Sequence, residues 1–155
     1  MSSSTPSSSW AAVVEAEERF AEAVAAIPPE ELQHVLAWAL GDFASRRAAL
    51  RVLGGADPRV VTAVLPELEP LLLVSHALLP ECRRVLLRLP RAELLDHLER
   101  LTGEVVDDPS SDYEAYRRLA ELLRAVGADR VLGRLVDAAA LSTDPDIADV
   151  AEDFS

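Results

Sequence analysis

The chain contains no lysine; all fifteen of its basic residues are arginine. That absence removes a phosphate loop from consideration, because Gly54-Gly55-Ala56 has neither the lysine nor the following Ser or Thr that cradle phosphates. Cysteine is nearly absent too. Cys82 stands alone, so an internal disulfide and a CxxC metal knuckle are both excluded, and a small side chain packed within a helix is its expected role. Aromatic residues are only 5% of the chain, so a core must be assembled from Leu, Val and Ala, which suit packed helices. Alternating patterns and β-branched runs are scarce. Long apolar runs are missing as well: the strongest, residues 71–79, is interrupted by Ser75 and His76 and is too short to span a bilayer. No positively charged, apolar leader opens the chain, and a cytoplasmic location is the default expectation.

Charge is abundant but lopsided. The formal net charge of −12 argues against nucleic acid as a partner, since phosphate recognition needs local positive charge. It favours solubility, or rapid association with a basic protein partner. At 155 residues the chain suits one domain burying about 70% of its unfolded surface. The Ser-rich residues 1–9 read as a disordered tail and residues 10–155 as a single helical domain.

Local signals mark the helices. Trp10, Val13, Val14, Phe20, Val24 and Ile27 follow helical spacing, and Pro28-Pro29 ends that segment and opens the next. The second helix places Leu32, Val35, Leu36, Ala39, Leu40 and Phe43 on one face, with Gly41-Asp42 near its end. A short helix over residues 44–53 stops at Gly54-Gly55, and Asp57-Pro58 restarts the chain. Pro66 and Pro70 predict two short helices broken near them. Pro80 and Pro90 open further helices, reaching Leu89 and about Val105. Ser111 and Glu114 have capping-box spacing before a helix that Gly127 closes. Asp129 begins its partner, running to about Leu141, and Asp144-Pro145 starts an acidic terminal helix.

A charged pair followed by an apolar stripe recurs four times: Glu18-Arg19, Arg46-Arg47, Arg83-Arg84 and Arg117-Arg118, at steps of about 28, 37 and 34 residues. The best-formed copy is YRRLAELLRAVGADRVLGRLVDAAALSTDPDIADVAEDF, residues 116–154. It resembles a HEAT-type repeat: a first helix carrying Arg118, a glycine turn, a second helix, and an Asp-Pro start to the next unit. Residues 45–65 and 82–103 resemble the same pattern more loosely, as do residues 18–40 with Glu18 in place of the first arginine. The resemblance implies an all-α fold, a short α-solenoid of about four antiparallel helix pairs with a terminal acidic half repeat. It also implies protein binding through the surface lined by second helices. Some relatives process DNA or bind cofactors, but the acidity here opposes the DNA-processing kind.

The candidate chemistry is sparse. Ser75 and His76 are adjacent, so on a helix they point about 100° apart, and no GxSxG elbow is present. His34, His76 and His97 lack metal-ligand spacing, and no cofactor is expected. The candidate partner-binding surface is a polar ridge along the second helices: His34 and Trp38, then Glu93, Asp96, His97 and Arg100, then Arg130, Arg134 and Asp137. Trp38 lies off its apolar stripe; a helix touching neighbours on both sides buries it, whereas an exposed Trp38 would be an interface anchor. Each arginine pair is expected to bind an acid of the adjacent unit, with Asp57, Asp108 and Asp144 as partners, or alternatively to form a row recognising an acidic ligand.

The resulting expectation is a non-enzymatic protein-interaction module: an adaptor, regulator or inhibitor. The alternatives are a small helical enzyme or ligand-binding protein, and a self-assembling component. Self-association is expected through residues 10–27, since solenoid ends are open unless capped by polar residues.

Overall fold

A computed structural model describes residues 8–155. The described residues form helices and connecting turns, with no strand: α1 (Ser8–Ala25), α2 (Pro29–Gly41), α3 (Arg46–Leu53), α4 (Pro58–Ala63), α5 (Leu65–Leu72), α6 (Leu79–Leu86), α7 (Arg91–Asp107), α8 (Tyr113–Val126), α9 (Asp129–Ala140) and α10 (Pro145–Phe154). The protein is all-α. Residues 1–7 of the expected tail lie outside the described residues, while Ser8 and Ser9 begin α1.

Aspartate caps open α4, α8 and α10. Asp57 accepts a hydrogen bond from the Arg59 N–H at 2.8 Å and opens α4. Asp144 does the same for α10, accepting from the Asp146 N–H at 2.9 Å. Gly127 ends α8 with φ 68°, a left-handed conformation that costs a residue with Cβ. There the Ala128 N–H reaches the Leu123 carbonyl at 2.9 Å and the Gly127 N–H reaches Arg124 at 3.1 Å, the two bonds of a Schellman turn.

Three local expectations are corrected. The cap of α8 is Asp112, accepting from the Ala115 N–H at 2.9 Å, not Ser111. Glu114 is thereby free of the capping box, and its carboxylate accepts from the Ser75 N–H at 2.7 Å. The break between α4 and α5 falls at Val64, before both prolines. Pro66 occupies the first turn of α5, where its missing N–H is harmless, and Pro70 sits inside this short helix. Phe43 is 86% exposed rather than on the apolar face of α2. The helix stops at Gly41, and Asp42 turns away to accept from the Ser45 N–H at 2.9 Å, so residue 43 no longer follows the stripe.

One continuous core of mainly leucine runs from α2 to α10, with Leu40, Leu53, Leu68, Leu86, Leu98, Leu119 and Leu135 buried. α2 packs on α3 and α5, α3 on α6, and α5 on α6. α7 packs on α8 and α9, and α10 closes against both α8 and α9. α1 buries none of its residues. Its Phe20 is half-buried, and its Glu17 forms an ion pair with Arg51 of α3.

The recurring arginines do link helices, but not through the expected acids. Arg83 of α6 donates to Glu121 Oε2 of α8 at 3.0 Å and to the Arg118 carbonyl at 3.1 Å. Arg117 of α8 donates to Asp153 Oδ2 of α10 at 2.6 Å. Arg46 instead donates to the Leu40 carbonyl at 2.7 Å, at the end of α2 where carbonyls lack helical partners. Asp57 and Asp144 are occupied as caps, and Asp108 accepts from the Ser110 N–H and hydroxyl. Aspartate is short, and its oxygens are taken by adjacent backbone before an arginine from another helix can compete.

Candidate functional site

Four of the expected ridge residues meet at one groove. Glu93, Asp96, His97 and Arg100 project from α7 toward the α4–α5 segment, where Thr62, Leu65, Pro66 and Glu69, together with Leu89, complete the lining of a space of ≈ 520 Å³. They share a groove because positions three and four apart on a helix share a face. Thr62 Oγ1 lies 3.5 Å from Glu93 Oε2 across it.

Glu69 is the centre of this cluster. Its side chain is only 14% exposed, and the Arg100 guanidinium donates to it while also donating to Glu104 at 2.5 Å. Both carboxylates raise the Arg100 pKa, chiefly by hydrogen bonding. His97 stands beside the pair, with Nδ1 3.1 Å from Arg100 Nη2 and 3.6 Å from Glu69 Oε1. An arginine can only donate, so Nδ1 accepts and the proton is assigned to Nε2.

His97 is 7% exposed, which corrects its expected place on an outward polar face. Its Nε2 is buried without a hydrogen-bond partner. Burial lowers its pKa below the ordinary 6.5, the Glu69 charge opposes that, and Arg100 reinforces it. Desolvation is the largest cause, so the ring is neutral at pH 7 and the 3.6 Å approach to Glu69 is not an ion pair there. Its ring therefore supports the groove from beneath.

The second half of the ridge forms a separate joint. Arg130 and Arg134 of α9 both reach Glu99 of α7, at 2.8 and 2.9 Å, binding one oxygen each. Arg91 crosses nearby to donate to the Val126 carbonyl at 2.8 Å. Asp96 lines this second groove too, so it borders both. Asp137 is exposed on α9 and lines neither. Thus the ridge is an alternation of ion pairs between helices, and several of its charges are already spent on register.

His34 and Trp38 lie on α2, away from these joints. Trp38 is 64% exposed, which overturns the expectation that a neighbouring helix covers it. Leu36, Ala39 and Leu40 occupy the buried side of α2, so Trp38 projects from a fixed helix. Phe43, just beyond the end of α2, adds a second exposed aromatic.

Sequence reasoning missed Glu69 and Glu99. Both are acids on helices rich in acids, and nothing local distinguishes them. Their role comes from partners 31 to 35 residues away.

Cys82 and His76 serve the fold. Cys82 is buried, and desolvation pushes its thiol up to about 11, so no thiolate forms at neutral pH. His76 accepts from the Leu78 N–H at 3.1 Å through Nδ1, leaving Nε2–H to donate to the Leu71 carbonyl at 2.8 Å. It closes the turn between α5 and α6. Among the described residues no group of three His, Cys, Asp or Glu side chains is placed to hold a metal ion. Nor is any described helix long and apolar enough to cross a membrane. No family model, curated protein or solved structure matches this chain.

Proposed function

We propose that the protein is a non-enzymatic interaction module, an adaptor or regulator, that binds another protein through the surface of its second helices, α2, α5, α7 and α9. In this reading the chain is a short HEAT-like solenoid acting in the cytoplasm. The order of contacts supports it. α2 meets α5, α5 meets α7 through Glu69 and Arg100, and α7 meets α9, forming one succession. α3 meets α6, Arg83 joins α6 to α8, and α8 meets α10, forming another. Two such successions are what stacked helix pairs with a terminal half unit would have.

The observation that carries the functional reading is the exposure of Trp38 on a well-packed helix. Tryptophan is a preferred anchor because it buries a large area while losing few rotatable bonds. Net charge of −12 favours a basic partner, whose association would slow as salt rises. Affinity capture with mass-spectrometric identification, repeated with Trp38→Ala, tests this. Loss of the same partner by about 30-fold in affinity is expected for an anchor worth about 2 kcal/mol. The variant should keep its helical circular dichroism, since this ring is largely outside the core. Equal capture by both proteins would remove Trp38 from the binding surface.

A second reading, self-association through residues 10–27, is favoured by α1. It buries no residue, and Val13 and Val14 remain exposed on its first half. Sedimentation equilibrium should then show dimers that Val13→Glu dissociates. A strict monomer at high concentration would sink this second reading.

A further inference from the structure

A groove of ≈ 470 Å³ between α3 and α6 reverses the charge of the rest of the molecule. Arg47 and Arg51 of α3 line one part, and Arg84 and Arg88, at and just beyond the end of α6, line another. Arg47 and Arg51 are four residues apart on α3, one turn along the same face, while Arg88 lies in the turn that follows α6. Leu50 and Val85, both buried in the core, also line it. Among the described residues the one acid in the lining is Glu81.

These guanidiniums are incompletely used. The Arg47 side chain makes no ion pair or hydrogen bond among the described residues. Arg84 approaches Glu81 at 3.4 Å while remaining largely exposed. Arg88 spends one donor on the Ala56 carbonyl at 3.0 Å. Each guanidinium carries five N–H donors, so most of the groove's capacity faces water. Among the described residues, Arg51 alone of the four is engaged by a side chain from another helix, and that helix is α1. There Glu17 pairs with the guanidinium and Phe20 lies under it at 4.4 Å. A carboxylate and an apolar ring three residues apart on a helix thus already satisfy one arginine of the groove.

We propose that this groove docks an acidic, amphipathic helical segment of a partner protein, with carboxylates one turn apart and an apolar residue between them. Carboxylates would meet the arginines while the apolar side chain lies along the arginine stems beside Gly54, above the already buried Leu50 and Val85. A compact polyphosphate fits less well, because part of the lining is apolar and Glu81 would repel it. A long nucleic acid is disfavoured because beyond the groove it would meet the net charge of −12. This surface is separate from that of Trp38, so its test is independent of the one above.

The test uses two synthetic helical peptides: one with glutamates one turn apart flanking leucines, the other with glutamines in their place. Fluorescence anisotropy against the full chain should show saturable binding of the glutamate peptide, weakening steeply with salt. Arg47→Ala combined with Arg84→Ala should weaken it at least about tenfold, a difference of about 1.4 kcal/mol. Arg59→Ala, an exposed arginine outside the groove, should not. Both replaced arginines are exposed, so the double variant should keep its thermal unfolding midpoint, which a melt verifies. Equal binding of the glutamine peptide, unchanged binding in the double variant, or no saturation up to about 1 mM would each overturn the proposal. Saturation by tripolyphosphate without peptide binding would reassign the groove to phosphate and overturn it too. So would dimerisation of the wild type that the double variant abolishes, which would put a second copy there.

Discussion

Leu98→Ala is expected to lower the unfolding free energy by about 3 kcal/mol, within the range of about 2–5 for buried leucine truncations. Leu98 lies in the middle of α7 and is wholly buried. Truncation removes its transfer energy and leaves a void, and the cost depends on how far the surroundings collapse. Here collapse is restrained, because α7 is tied on both sides: Arg100 holds Glu69 of α5, while Glu99 holds Arg130 and Arg134 of α9. Alanine's better helix propensity returns only a few tenths of a kcal/mol. Against a total stability of about 5–15 kcal/mol, the loss is large. In urea it should appear as a lower midpoint with an unchanged slope. The exposed Leu141→Ala should stay within about 0.5 kcal/mol. A loss below about 1 kcal/mol for Leu98→Ala would show that α7 can settle inward after all.

Arg100→Ala should cost about 1–2 kcal/mol and also change how His97 titrates. The energy lies between the surface and buried limits because Arg100 is half exposed while Glu69 is 14% exposed. Removing the guanidinium leaves Glu69 without its ion-pair partner in a poorly solvated place. The groups facing His97 are Glu69 on α5 and Arg100 and Glu104 on its own helix. In the native protein burial holds the His97 pKa below the ordinary 6.5. The unfolded chain then binds that proton first as pH falls. The stabilisation from a neutral His97 is therefore complete above 6.5 and is lost as pH drops through the folded value. Without Arg100, burial alone opposes the two glutamates, and the His97 pKa should rise toward 6.5, shrinking that loss. Proton NMR of the histidine rings, with His97→Asn supplying the assignment, gives the titration directly. An unchanged His97 pKa in Arg100→Ala would show that Arg100 does not control it.

The two results concern different levels of legibility. Leu98 belongs to an apolar stripe that helical spacing reveals, and its burial follows once α7 exists. The Glu69–Arg100 joint has no such local mark. Arg100 stands four residues from both Asp96 and Glu104, and in the fold it takes Glu104 and reaches across to α5. His97 shares this ambiguity, since a histidine at the margin of a stripe is inside or outside depending on how far the neighbouring helix leans over it. α5 leans far enough to bury it. Trp38 is the converse case, because none of the described helices covers that side of α2.

Helix positions, the all-α class and most stop signals were contained in the chain itself. Proline at helix starts, aspartate caps at residues 57 and 144 and glycine at 127 act through backbone within a few residues, so their effect needs no knowledge of the fold. The recurring arginines likewise marked helices that would touch. Their acids, Glu121 and Asp153, the exposure of Trp38 and Phe43, and the gathering of four arginines into one groove came from packing. Such pairings join side chains more than thirty residues apart, and they depend on the offset and tilt of one helix against another. A shift of one turn, about 5.4 Å, would present different residues while leaving every local signal unchanged.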